Sequence, residues 1–195
     1  MRLGRGGVPV RQGGAVATAI DITDQAVRLT EANARAQGLS IDVRRMDAEK
    51  MDFPDATFDY IYSWGVLHHS QAPDAAYLEV ARVLRPGGSG LLMVYHRHSL
   101  RYYGKGLYWL LAKGKLFRGH TLDSVQGYFT DGYYHRHYTQ RRLRRALSAV
   151  GLEVTATYVT HMTKRYAPVP RPLDDWLKRH FGWLLIAEFR WAGGS

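Results

Sequence analysis

The sequence predicts an α/β fold built on a mostly parallel sheet. Three observations predict it. Short apolar runs rich in β-branched and aromatic residues alternate with longer amphipathic segments, the pattern of βαβ units. One unit is complete between Phe58 and His96: an apolar run FDYIYS, an amphipathic stretch, the stop LRPGG and a second apolar run SGLLMVYH. The chain of 195 residues is long enough for one sizeable core, and no apolar run approaches the ~18 residues of a membrane span.

Each element has a local reason. Ala15 to Ile20 is small and β-branched, which suits a buried strand, and Asp21 ends it. Thr23 can cap a helix starting near Asp24, and Gly38 closes that helix. Ile41 to Arg45 reads as the next strand and Phe58 to Ser63 as another, with Trp64 to Ser70 the loop leaving its end. Asp74 to Leu84 is amphipathic through Ala75, Leu78, Val80, Val83 and Leu84. Arg85-Pro86-Gly87-Gly88 should stop it, since Pro cannot continue a helix and Gly turns freely. From Arg97 to Tyr138 the pattern loosens into Tyr, Gly, His and basic residues, with Leu107 to Leu111 as an apolar helical patch. Thr139 to Gly151 reads as a helix with Leu143, Ala146, Leu147 and Val150 inward and four arginines around the other faces. Leu152 to Tyr158 and Phe181 to Trp191 read as strands, separated by a Pro-rich loop from Arg165 to Pro172. In parallel sheets ligands gather at the carboxyl ends of strands, which points to Ser63 to His69.

Composition narrows the classes. There is no Cys, hence no disulfide framework and no thiolate metal site. The N-terminus has no long apolar h-region, so a cytoplasmic protein without a secretory signal is expected. The net charge of +10 reads first as a solvated basic surface, then as attraction to acidic substrates, nucleic acid or membrane headgroups. The pairs His68-His69, His96-Arg97-His98 and His135-Arg136-His137 lack the Glu of an H-E-x-x-H arrangement, so no metal is expected.

Four ordered segments, GAVATAIDITDQAV, RRMDAEKMDFPDATFD, the His pair and LRPGG, resemble the class I, Rossmann-like S-adenosylmethionine-dependent methyltransferases. The similarity is greatest to the small-molecule branch that includes the ubiquinone/menaquinone-type enzymes. It covers roughly residues 3 to 96, and weakly the remainder. It implies a three-layer sandwich whose two late strands form a C-terminal antiparallel pair. It also implies one domain over residues 1–195, with residues 97–138 as a substrate lid. Laid on the family pattern, Gly4 matches the last glycine of the G-x-G-x-G loop, and Met1 and Arg2 stand at its earlier positions. The family's first strand would precede Met1, so the fold is expected with that strand missing.

The resemblance implies a binding set. Gly4 belongs to the glycine loop; Asp21, with Ile22, meets the ribose hydroxyls; Asp47 and the Ala48 amide meet the adenine edge, with Met46 against its face. Ser63, Trp64 and Gly65 lie against the cofactor at the end of the fourth strand. His68 or His69 is a candidate general base. Asp21 has another reading as a turn cap, Asp47 as a solvated loop acid, and the His pair as helix-start packing. The function implied is methyl transfer from S-adenosylmethionine to a small-molecule acceptor, with O-, N- and C-methylation open and activity impaired by the missing start. Other classes are a non-catalytic truncated remnant, a nucleic-acid-binding or modifying methyltransferase, and, as the weakest, a nicotinamide dehydrogenase, which Asp47-Ala48 and LRPGG fit poorly.

Overall fold

The computed structural model describes residues 15–128, 136–160 and 169–193. Gly4 and the expected glycine loop lie outside these residues. The first strand, β1 (Ala17–Asp21), buries Ala19. Helix α1 (Asp24–Ala36) follows at once because the Thr23 hydroxyl accepts from the Ala26 amide at 3.3 Å. Beyond it the amides of Gly38 and Leu39 donate to the carbonyls of Arg35 and Ala34, closing the last turn. Strand β2 (Ile41–Arg45) then pairs parallel with β1, from Ala17 opposite Ile41 to Asp21 opposite Arg45.

Strand β3 (Phe58–Trp64), helix α2 (Pro73–Val83) and strand β4 (Leu84–His96) make the expected parallel unit. The stop between them differs from expectation. The helix ends at Val83, and Leu84 is already extended and paired with Phe58; the next pair is Tyr60 with Ser89. Arg85 to Gly88 therefore bulge from a strand that has begun, rather than forming a turn ahead of it. Two residues on, β4 passes between two neighbours with no room for a side chain. A Cβ on Gly90 would collide with the Phe189 ring and lie 2.6 Å from the Ile61 carbonyl oxygen.

After β4 comes the insert. Helix α3 (Leu100–Leu107) is capped by the Ser99 hydroxyl and runs into a π-helical turn, Tyr108–Ala112. Two 3₁₀ turns follow, Leu116–Arg118 and Ser124–Tyr128. The apolar patch expected at Leu107 to Leu111 thus straddles a change of helix type. Strand β5 (His137–Tyr138) pairs with β4 from Tyr95 onward, beyond the point where β3 stops at Trp64. Helix α4 (Gln140–Ser148), capped by Thr139, buries Leu143 and Leu147. Strand β6 (Leu152–Thr160), helix α5 (Arg171–Phe181) and strand β7 (Leu184–Trp191) complete the described chain. The expected strand from Phe181 starts three residues late, because Phe181 ends α5. Pro172 sits in the first turn of that helix, where a missing amide costs nothing. Of the Pro-rich loop expected from Arg165 to Pro172, residues 165–168 lie outside the described residues, and Arg171 and Pro172 belong to the helix instead.

The sheet falls into two parts, β1-β2 and β3-β4-β7-β6, with β7 antiparallel to both β4 and β6. Among the described residues no ladder joins β1 to β3. An apolar cleft of about 100 Å³ lies between them, lined by Thr18 and Ile20 on one side and Tyr60, Ile61, Tyr62 and Ser63 on the other. The main core lies on the other part, where Tyr77, Val80, Leu92, Leu143 and Leu185 pack together.

Candidate binding groove

The carboxyl ends of β1 and β2 lie side by side, and their loops carry the acids singled out above. Asp21 is the last residue of β1, and its backbone carbonyl accepts from the Met46 amide at 2.9 Å, which ties the two strand ends together. Asp21, Ile22, Asp47 and Ala48 all line one cavity of about 350 Å³, which Val66, Leu67 and His69 close from the β3 side. That volume is in the range of small-ligand sites.

Each acid uses one oxygen locally. Asp21 Oδ1 accepts from the Thr23 amide at 2.9 Å and the Thr23 hydroxyl at 2.8 Å. Asp47 Oδ1 accepts from the Glu49 amide at 2.9 Å. Among the described residues neither Oδ2 makes a hydrogen bond. The capping role considered for Asp21 is therefore real, and it leaves the second oxygen for a ligand hydroxyl.

Glu49, which sequence reasoning passed over, holds the far wall. Its Oε1 accepts from the Ser70 hydroxyl at 2.7 Å and from the amides of Gln71 and Ala72 at 2.8 and 3.2 Å. These bonds, the Ser70 hydroxyl first, hold its carboxyl below the usual range. They also cap the approach to α2, so the loop after β3 is fixed to the loop after β2. Nothing local marks Glu49, since its partners are twenty-odd residues away. A second clamp lies behind it. Arg82 donates to both oxygens of Glu79 and to the carbonyls of Met51 and Phe53, all at 2.7 to 2.8 Å.

The remaining expected residues are placed unequally. Ser63 is buried and lines the cleft between β1 and β3, not the groove. Trp64 packs beside Met93, Tyr102, Trp183 and Leu184, and Gly65 turns the chain with a φ of 72°; neither is among the residues around the groove. Of the His pair, only His69 reaches it. His68 is fully buried, with its ring 4.1 Å from that of Tyr95 and 4.2 Å from that of His69. Tyr95 is in turn ringed by Trp183 at 4.4 Å and His137 at 5.7 Å. This aromatic and imidazole cluster, assembled from four separate parts of the chain, was not foreseen.

His96 and His98 do not form a metal pair. His96 is buried, and its Nδ1 donates to the Gly182 carbonyl at 3.1 Å, while His98 meets the Tyr103 hydroxyl at 2.8 Å. Among the described residues no group of three or more His, Asp or Glu side chains stands where it could hold a metal ion. No helix among them is long and apolar enough to cross a membrane.

The insert is latched over this end of the sheet. Arg97 donates to both Asp123 oxygens at 2.9 and 3.2 Å, and the Tyr102 hydroxyl donates to Oδ1. Arg97, then Tyr102, holds the Asp123 carboxyl below its usual range.

Comparison with known proteins fits this geometry. A family model described as a methyltransferase domain matches residues 4–92. A ubiquinone biosynthesis O-methyltransferase of Parvibaculum lavamentivorans is 35% identical over 80 residues, which is 41% of this chain and 32% of that protein. A ubiquinone/menaquinone biosynthesis C-methyltransferase of Bordetella avium is 35% identical over 77 residues, 40% of this chain and 30% of that one. This chain thus matches about a third of the length of these relatives. Among solved structures, an S-adenosylmethionine-dependent methyltransferase from Methanosarcina mazei superposes with a TM-score of 0.61 at 21% identity, over 91% of this chain and 82% of that one.

Proposed function

We propose, from the premise that this chain belongs to the class I, Rossmann-like S-adenosylmethionine-dependent methyltransferases, that the groove at the ends of β1 and β2 binds the cofactor's adenosine. We propose further that the protein methylates a small-molecule acceptor. One observation carries the reading: two carboxylates from adjacent parallel strands face one cavity, each with an oxygen to spare. A carboxylate accepts well from a ribose diol and from an exocyclic amine, both of which are donors there.

S-adenosylmethionine, when bound, supplies a methyl group activated by its sulfonium. The chain's own residues bind, orient and exclude water. Asp21 would hold the ribose and Asp47 the adenine amine. Met46, Ala48 and Leu67 would flank the ring, and Glu49 keeps Ser70 to Ala72 against the groove. Positioning of this kind can account for a large share of a rate enhancement. His69 is the protein base nearest to hand, between the groove and the Tyr95 cluster. The insert over residues 97–138 would form the acceptor's wall. The attacked atom stays open: one relative is named for O-methylation and the other for C-methylation.

The cleft between β1 and β3 belongs to the same proposal. A strand lying there would join the two parts of the sheet and stiffen both acid-bearing loops. Calorimetric titration of the chain with S-adenosylmethionine tests the assignment. Absence of binding would sink it, as would binding that Asp21→Ala and Asp47→Ala leave unchanged.

A further inference from the structure

A second surface is not used by this chemistry. From Arg97 to Leu122 the sequence has no Asp or Glu, yet it carries Arg97, Arg101, Lys105, Lys113, Lys115 and Arg118. Arg97 is paired with Asp123, and the other five cations add to a chain whose net charge is +10. The same stretch is two-faced. Tyr102, Gly106 and Leu110 are buried on the inner side. On the outer side Leu107 is 49% exposed, Tyr108 51%, Leu111 58%, Leu116 48% and Phe117 89%. They lie on consecutive turns, from the end of α3 through the π-helical turn to the 3₁₀ turn Leu116–Arg118. Soluble proteins seldom leave so many large apolar side chains together in water without a partner for them.

The cations stand around this apolar face. Lys113 lies over the Tyr108 ring at 5.7 Å, and Lys115 lies over Tyr128 at 4.5 Å with its Nζ 3.1 Å from that hydroxyl. Arg118 follows Phe117 directly. Aliphatic and aromatic tips with cations at their rim match the boundary between lipid tails and anionic headgroups. A single-stranded nucleic acid fits less well. It wants open ring faces for its bases, but Trp109 and Tyr128 stack on each other at 4.7 Å, Lys113 stands over Tyr108, and three of the five outer side chains are leucines. A protein partner fits less well too, since interface centres are depleted in Lys.

We propose that Leu107, Tyr108, Leu111, Leu116 and Phe117, rimmed by Lys113, Lys115 and Arg118, form a docking face for an anionic lipid bilayer. The apolar tips enter the headgroup boundary, and the cations select acidic headgroups. The proposal goes beyond methyl transfer and does not depend on it.

Flotation of the full chain with lipid vesicles tests it. At about 0.1 M salt the chain should bind phosphatidylcholine vesicles containing about a third phosphatidylglycerol at least about tenfold more tightly than pure phosphatidylcholine, and about 1 M salt should erase most of that difference. Phe117→Ser, alone and with Leu111→Ser, should lower binding about tenfold with an unchanged circular dichroism spectrum. Lys113→Gln, Lys115→Gln and Arg118→Gln together should reduce binding to the phosphatidylcholine level. No binding to the acidic vesicles at low salt would overturn the proposal. So would full binding by the folded Phe117→Ser variant. So would a single-stranded oligonucleotide that binds the wild type and displaces the vesicles while the serine variants bind it unchanged.

Discussion

Asp21 and Glu49 do different work at the groove, and their substitutions should separate. Asp21 is proposed to hold the ligand and has a local turn on one oxygen. Asp21→Ala should weaken S-adenosylmethionine binding by about 1–3 kcal/mol, the scale of lost charge-assisted hydrogen bonds; calorimetry reads it. Glu49 touches no ligand in this scheme. Its carboxyl is held low in the folded state, so its contribution to stability is fully present above the ordinary Glu value of about 4.3 and is lost as pH falls through the lower folded value. Glu49→Gln should therefore lower stability at neutral pH and lose less of it between about pH 5 and pH 3 than the wild type does. Urea midpoints across that range would show equal slopes if Glu49 were not linked to folding. The contrast shows what a sequence discloses. Asp21 was legible because its neighbours in the chain, a small β-branched strand and a capped helix, give it an address. Glu49 was not, because Ser70, Gln71 and Ala72 are brought to it by a loop whose path only tertiary structure fixes.

Among the elements, the insert is where local pattern says least. It changes from α to π to 3₁₀ within about twenty residues, and no single period describes that. Helix α5 was hidden for another reason. It follows a Pro-rich stretch that reads as loop, although Pro172 in the first turn is a usable start signal. By contrast α1, α2 and α4 were legible to within a residue or two at their starts, α1 and α4 because a capping threonine and periodicity agree there and α2 from its periodicity. The insert's anchor can be tested. Asp123→Ala leaves the partly buried Tyr102 hydroxyl without its acceptor and should destabilise by about 1–3 kcal/mol. Arg97→Gln breaks the more exposed half of the latch and should cost about 1 kcal/mol or less. Thermal melts of the two variants compare them, and equal losses would place the strength of the latch in the ion pair instead. Exchanging residues 97–138 for the matching segment of a relative should change acceptor preference and leave cofactor affinity nearly intact. A collapse of cofactor affinity with the fold preserved would show that the insert is no separable lid.

At the scale of the whole molecule, the order of elements and the antiparallel close of the sheet follow the expected plan, and among the described residues the sheet divides between β1 and β3. That division has a consequence for how the chain breathes. Over residues 15–45 the buried side chains are few, Ala19, Thr30 and Ala34, all small. The β3-β4-β7-β6 part instead holds Tyr77, Leu92, Leu143, Leu152, Leu185 and Phe189 at its centre. A unit with little apolar contact opens at a lower free energy than one built around such a core. Amide hydrogens of β1, α1 and β2 should then exchange with deuterium through a separate, cheaper opening, while those of β4 and β7 wait for global unfolding. Because Asp21 and the β2 strand that leads to Asp47 ride on the looser unit, a ligand bridging it to Leu67 and His69 would slow exchange of that unit's hydrogen-bonded amides as a whole, including those of α1 far from any contact with it.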